Sequence, residues 1–258
     1  MNITDLTKTL TTSLGSNAAN VKSNATSASD RNQDATSKAL ATANDRVEKQ
    51  RKASEVQLSA FGQIKSSVAE LQSSSKTLSE VKNTDTVVET KKVAQNFVNA
   101  FNKARDTATK ATERNGTLAD NGRAKVATNE VSRSLNSTST NELKSIGITA
   151  NKDGSLKIDQ QKFEQAFNAN PTATTKALAD VGKQVEASAS KQLEGNSNVN
   201  RSINTLSNQV KDLQEQQNNQ QNLADNLQKA TEQATSRLNT TNATNAAGIA
   251  AYQKIFSL

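Results

Sequence analysis

The sequence predicts a mainly α fold, an elongated helical coiled-coil rod with one small β-hairpin. Apolar residues make up only 33% of the chain, which is too little to fill the thick core of an ordinary globular domain. A single Pro and nine Gly interrupt the 258 residues, so long helices meet few breakers. Apolar side chains also recur at spacings of three and four residues near both ends of the chain. Long helices that each bury one narrow stripe fit this composition better than a disordered chain does.

Residues 1–44 form a polar segment that we expect to be mostly disordered and to serve assembly or export. Its run SNAANVKSNATSASDRNQDATS holds almost no large apolar side chain and cannot bury enough surface to order itself. Before that run, Ile3, Leu6 and Leu10 recur at helical spacing. They predict a short assembly tip that becomes helical only against a partner, because so short a helix is marginal alone. A frayed terminus would carry the same pattern.

Residues 45–82 predict an N-terminal coiled-coil helix. Its seam follows a heptad pattern in which Ser75 fills one apolar slot, and no Pro interrupts it. A single apolar stripe of this length must pair with another helix. The seam residues are Phe61, Ile64, Val68, Leu71 and Leu78.

Residues 196–258 predict a matching C-terminal coiled-coil helix and a second assembly tip. The seam begins at Val199 and weakens in the stretch QEQQNNQQN, where Gln217 and Gln220 occupy positions that should be apolar. We expect this seam to pack on the N-terminal one within the chain, while the tips contact neighbouring subunits. The seam residues are Ile203, Leu206, Val210, Leu213 and Leu227, accompanied by Leu223, Ala230, Ala234 and Leu238, and the tip residues are Ile249, Tyr252 and Phe256.

Residues 83–195 predict a helical core that contains a β-hairpin at 146–158. Val93, Phe97 and Phe101 mark one amphipathic helix, and KVATNEVSRSLNS suggests another. The hairpin is indicated by two short alternating stretches, IGITA and LKI, around the turn pair Asp153-Gly154. Asp159 is then placed to cap a further helix, which Asn170-Pro171 should end.

The residue types present argue against catalysis, and we predict that the chain is not an enzyme. It contains no His and no Cys, which removes the usual general base, the thiolate nucleophile and the common zinc ligands. No cofactor or metal site is predicted. The net charge of +7 comes from Lys and Arg residues that are scattered among 25 acidic residues, and aromatic residues are few. This pattern does not favour nucleic-acid binding. No stretch is apolar enough for membrane insertion, and MNITDLTKTLTTSL lacks the features of a cleaved signal peptide.

Four segments of the chain resemble the bacterial flagellar filament cap protein family, also called flagellar hook-associated protein 2. QLSAFGQIKSSVAELQSSSKTL resembles its N-terminal conserved region. DTVVETKKVAQNFVNAFNKARDTATKAT, ELKSIGITANKDGSLKIDQQKFEQAFNANPTATTKAL and the terminal coiled-coil helix resemble its C-terminal region in the same order. The third segment is the most specific, because it combines two strands, a Gly turn and a capped helix. The resemblance covers roughly residues 45–258.

One departure from the family pattern changes what the resemblance implies. Family members ordinarily carry a large β-rich insertion between the first helical region and the Phe97 helix, whereas Val81 and Asp85 almost abut here. The resemblance therefore implies a shortened form without the central outward β-domains. It also implies a cap-like subunit at the filament tip that oligomerises and supports filament assembly.

The resemblance further implies partners and a location. The partners would be further copies of the chain, flagellin and hook–filament junction proteins, with an export chaperone on the C-terminal helix. The location would be the extracellular flagellum, reached through the flagellar secretion apparatus without a cleaved signal. Two other functions stay open at this point: a flagellin-like or hook–filament junction protein that polymerises along the filament, and a non-flagellar coiled-coil adaptor.

Overall fold

The computed structural model describes the backbone of residues 3–255 and the side chains of residues 35–251, except those of Ser137, Leu238, Asn242 and Ile249. The backbone divides into two compact units. Unit 1 is formed by Met1–Gln50 together with Asp212–Leu258, and unit 2 by Arg51–Lys211. Two long helices therefore contribute to both units, one from each end of the chain.

Within the described backbone the fold is mainly α, as predicted, and its only sheet is a two-stranded hairpin. The elements in chain order are α1 (Ile3–Ser79), α2 (Val87–Thr112), α3 (Gly122–Ser132), α4 (Ser137–Ser145), β1 (Ile148–Ala150), β2 (Leu156–Ile158), α5 (Gln160–Ala169), α6 (Pro171–Leu193) and α7 (Asn198–Ile255).

Helix α1 runs without a break through the boundary at residue 44 that the sequence suggested. The polar segment expected to be mostly disordered is helical from Ile3 onward in the structure. Ala, Ser, Thr and Asn provide no breaker there, so the helix can continue although its side chains offer little to bury. The side chains of residues 1–34, including those of the tip residues Ile3, Leu6 and Leu10, lie outside the described part. That this segment orders only on assembly stays a prediction.

The core of unit 2 is one apolar cluster to which every helix of that unit contributes side chains. Phe97 and Phe101 of α2 belong to it with ring centroids 6.2 Å apart, and Phe163 of α5 is fully buried in the same cluster. Four buried alanines on α2 let the neighbouring helices approach closely; they are Ala94, Ala100, Ala104 and Ala108.

The hairpin has the turn that its sequence predicts. Ile148 pairs with Ile158 and Ala150 with Leu156 in antiparallel register. Gly154 has φ of 82°, a left-handed backbone conformation that side chains other than Gly rarely adopt. The hairpin is fixed to α2 by Asn102, whose side-chain amide donates to Leu156 O at 2.8 Å and accepts from Leu156 N at 2.7 Å. One side chain thus pairs with the strand as a neighbouring strand would.

Helix ends in unit 2 are set by side-chain caps. Thr86 and Glu89 form a reciprocal capping box at the start of α2, and Asp159 accepts from Lys162 N at 3.1 Å at the start of α5. Asn170 ends α5 and also caps α6, whose first residue is Pro171. The predictions for Asp159 and for the Asn170-Pro171 boundary are thereby confirmed.

Candidate helix-pairing interface

The predicted N-terminal seam lies on the buried face of α1. All five of its apolar residues are at most 1% exposed and belong to the core cluster of unit 2, and Ser75 between them is fully buried. The seam packs against more than one partner helix. Glu70 on its flank forms an ion pair with Lys103 of α2 at 2.6 Å, and Gln72 donates to Ser190 of α6 at 2.8 Å. This stretch of α1 therefore packs in a multi-helix bundle.

Helix α1 packs closely against α6 at Gly182. A Cβ atom built on Gly182 would lie 2.5 Å from Ser79 N and 2.7 Å from Ser75 O, both backbone atoms of α1. Real Cβ atoms do not approach other atoms so closely, so only Gly fits. Ser75, whose small side chain is fully buried, contributes a backbone oxygen to the same crossing.

The first part of the C-terminal seam shares this core. Val199 is 1% and Leu206 8% exposed in the same cluster, Ile203 packs against it, and Val210 is half-buried. Asn200 fixes where α7 begins, because its side-chain amide donates to Leu193 O and to Glu194 O, each at 2.8 Å. These are carbonyls at the end of α6 that the helix itself leaves unpaired.

Beyond Lys211, α7 belongs to unit 1, and a narrow covered stripe continues along it. Leu213 is buried, and Gln217, Gln220, Ala224 and Thr231 are half-buried at heptad spacing. Leu223 and Leu227, by contrast, are 50% and 40% exposed. The seam thus continues through Gln217 and Gln220, as the spacing predicted. Leu223 and Leu227, which were expected to resume it, are largely exposed instead. The side chains of Leu238, Ile249, Tyr252 and Phe256 fall outside the described residues.

The covered stripe of unit 1 mixes apolar and polar side chains. Val47 of α1 is only 4% exposed there, yet the side-chain carbonyl oxygens of Asn44 and Gln220 are buried in this unit without a hydrogen-bond partner. An unpaired buried amide oxygen costs about 1–3 kcal/mol. Unpaired buried polar atoms also occur in unit 2, so apolar burial is the difference between the units. Among its described residues unit 1 buries only Val47 and Leu213 as large apolar side chains, whereas unit 2 holds the large apolar cluster.

The electrostatics of unit 2 support helix ends rather than a reactive centre. The backbone N–H of Lys162 holds the pKa of Asp159 below its usual value, and the Thr86 hydroxyl does the same for the pKa of Glu89. The Ser155 hydroxyl lowers the pKa of Asp153 in the hairpin turn. Each shift comes from a cap or turn hydrogen bond made to the charged carboxylate.

A small polar cavity of about 280 Å³ lies beside the α6–α7 turn and includes Lys191, Gln192 and Arg201 in its lining. Ligand pockets usually range from roughly 300 to 1,000 Å³ and are mostly apolar. Among the described residues, no group of three His, Cys, Asp or Glu side chains could hold a metal ion. None of the described helices has the length and apolar content needed to cross a membrane.

Three residues that position these helices escaped the sequence predictions. Gly182 looks like an ordinary mid-helix glycine, and Asn102 and Asn200 look like surface amides in an Asn-rich chain. Their roles depend on atoms distant in sequence. Asn200 lies close to GNSN, which is a turn signal, and that signal could have suggested a cap.

Comparison with known proteins gives one family. Residues 68–245, more than half of the chain, match the family model described as flagellar hook-associated protein 2 C-terminus. No curated protein matches the chain at a significant level. The matched span runs from Val68 in the α1 seam through the rest of unit 2 and into the half of α7 that belongs to unit 1.

Proposed function

Because the chain belongs to the flagellar hook-associated protein 2 family, we propose that it is a cap-like subunit at the filament tip that oligomerises and supports filament assembly. The observation that supports this most is the match of residues 68–245, combined with a core made of helix-pairing side chains. Its role as a flagellar cap or hook-associated structural protein follows from the family; the assembly steps are the proposal.

The proposed mechanism is helix packing. The bundle of unit 2 is the stable part, since its core includes Phe61, Leu71 and Leu206 in one cluster. The two helical segments of unit 1 are the assembly part, because their described residues bury only Val47 and Leu213 as large apolar side chains. The tip residues would add further contacts to neighbouring subunits: Ile3, Leu6, Leu10, Ile249, Tyr252 and Phe256.

The proposed partners are further copies of the chain, flagellin and hook–filament junction proteins. An export chaperone would bind the C-terminal helix before secretion, and the protein would act outside the cell on the flagellum. The long exposed surface of α7 beyond Lys211 supports a role in such contacts, since most of its described side chains face solvent.

Position and copy number on the flagellum test the proposal. A tagged chain should label the filament tip in a few copies, and its loss should leave flagellin secreted but unpolymerised. Labelling along the whole shaft would instead favour a flagellin-like or junction protein. Failure of export in a strain with an intact flagellar apparatus would contradict a flagellar function altogether. A variant cut after residue 211 is the matched control, because it keeps unit 2 and removes the α7 half of unit 1.

A further inference from the structure

Asn-Gly occurs twice in the sequence, and both copies lie at the α2–α3 connection of unit 2. The first is Asn115-Gly116, in the turns that follow α2, and the second is Asn121-Gly122, where α3 begins. An Asn side chain reacts most readily with its own backbone when Gly follows it, because Gly has no side chain to shield its nitrogen. The same chemistry is therefore available at two neighbouring places in one connection.

The chemistry is spontaneous deamidation. The backbone nitrogen of Gly forms a bond to Cγ of the Asn side chain and gives up its proton to water, while the side-chain nitrogen leaves as ammonia. Water then opens the resulting succinimide ring at either carbonyl. One opening gives Asp, and the other gives isoaspartate, in which the chain continues through Cγ. Each event replaces a neutral amide by a carboxylate and so lowers the net charge of +7 by one.

The second Asn is held in place by the helix that it caps. Asn121 is the N-cap of α3, and its side-chain oxygen accepts from Ala124 N at 3.1 Å. Its backbone carbonyl accepts from Lys125 N, also at 3.1 Å, so both of its carbonyl groups belong to the first turn of α3. Ala124 in that turn is fully buried. Ring closure at Asn121 must therefore release the cap and disturb an anchored helix start.

Asn115 has no such restraint. Its side chain is exposed and makes no hydrogen bond within the described part of the chain. The attacking nitrogen, Gly116 N, is held by one turn hydrogen bond to Glu113 O at 2.8 Å. Exposed turns open at little cost in free energy, so this bond does not prevent the reaction. We propose that Asn115 is a site of spontaneous deamidation in the folded protein, whereas the α3 cap protects Asn121.

The isoaspartate product does not fit the α2–α3 connection. It adds one carbon atom to the backbone directly before Gly116. A Cβ atom on Gly116 would already clash with the carbonyl oxygens of Lys110 and Ala111, so Gly116 lies directly against the end of α2. Leu118, only 1% exposed, donates from its N to Ala111 O at 2.7 Å just beyond this point. The longer backbone displaces that bond, so aged copies of the chain have a loosened α2–α3 connection.

Oxygen labelling tests the proposal on the full-length native chain. The protein is kept for weeks in mildly alkaline buffer made with heavy-oxygen water, and it is then digested with trypsin in ordinary water. Water supplies the new carboxylate oxygen, so only deamidation that precedes digestion carries the label. Trypsin cleaves after Arg114 and Arg123, so one peptide contains both Asn residues. Fragment masses then assign the label to Asn115 or to Asn121.

We expect Asn115 to convert at least about ten times faster than Asn121 in the folded chain, because a helix cap of ordinary strength gives a difference of that order. The matched control is the same chain unfolded in guanidinium chloride. There the two sites should convert at rates within about twofold of each other, since neither is held by structure. Ion-exchange chromatography should also show that the Asn115→Ser variant, changed at an exposed position, does not form the first acidic species that the native chain forms.

Equal labelling of Asn115 and Asn121 in the folded chain would overturn the proposal. So would an unlabelled Asn115 in folded protein when the unfolded control is labelled there. Amide exchange checks the structural consequence: the isolated isoaspartate form should exchange Leu118 N–H faster than fresh protein does, while exchange in α6 is unchanged. Unchanged exchange at Leu118 would contradict the loosened connection. The reaction needs no partner, so none of these results depends on the proposed cap function.

Discussion

Replacing Gly182 by Ala should destabilise the protein, although the same change in most helices is favourable. Ala is the better helix former by about 1 kcal/mol. Here the added methyl group would lie 2.5 Å from Ser79 N and 2.7 Å from Ser75 O, so α1 and α6 must separate by about 1 Å to reach ordinary contact distance. Overpacking of this kind costs about 1–3 kcal/mol, and the lost contacts around the crossing add to it. We expect a net loss of about 1–2 kcal/mol in the free energy of unfolding.

Gly62 is the matched control, because it too is a helical glycine of unit 2, although it lies in α1 and not in α6. A Cβ atom there meets nothing within 4 Å. Gly62→Ala should therefore raise the free energy of unfolding by up to about 1 kcal/mol. Urea denaturation followed by circular dichroism measures both variants, and the sign of the two changes is the informative result.

Opposite signs support the close α1–α6 crossing. If Gly182→Ala stabilised the protein as Gly62→Ala does, the two backbones could not be in contact at this point. The bundle in which α1 packs against α6 would then be wrong, whatever the burial of the seam residues.

Three further predictions follow from the same structure. Leu71→Asp should lower the free energy of unfolding by several kcal/mol, because it buries a carboxylate in the core, whereas Leu223→Asp at an exposed position of α7 should change thermal unfolding of the isolated monomer little. Equal effects of the two variants would contradict the burial of Leu71 and the exposure of Leu223. Asn102→Ala removes two hydrogen bonds to Leu156 and should cost about 1–3 kcal/mol, with faster amide exchange at Leu156 while exchange in α6 is unchanged. Stability should vary little between about pH 5 and 9, because the chain has no His. It should fall in acid, since a carboxylate whose folded pKa is lowered, such as Asp159, contributes stability above its unfolded pKa of about 4 and loses it as the pH falls through the folded pKa. Stability should also fall in strong alkali, since a Lys whose folded pKa is raised, such as Lys110 or Lys176, contributes stability that is lost as the pH rises through that pKa. The acid side rests on the carboxylates of Asp159, Asp153 and Glu89. A melting temperature that changes steadily between about pH 5.5 and 8 would contradict this account.

Local patterns predicted much of the fold. Heptad spacing placed the buried face of α1, and the two glutamines of α7 occupy the seam positions that the spacing assigned to them. The hairpin followed from alternation around a glycine turn, and the capped start of α5 from Asp159. These features depend on neighbours within a few residues, so the sequence alone carries them.

Partner choice was harder to predict. The two seams were expected to zip together, but the α1 seam lies in a bundle with α2 and α6 as well as with the start of α7. Leu213 and Leu227 belong to the other compact unit. An apolar stripe shows only that a helix must be covered, and many helices can cover it equally well.

The sequence by itself determined that this chain is a set of long, one-sided helices with a single hairpin, because periodicity and the absence of breakers are local properties. It also indicated the family, because the segments that resemble this family lie largely within the matched residues 68–245. Only the tertiary structure decided which contacts form: Gly182 meets α1, Asn102 holds the hairpin, and Leu223 and Leu227 of α7 stay exposed. The reason is physical, since such contacts join residues far apart in the chain and depend on distances of a few tenths of an ångström that no spacing rule contains.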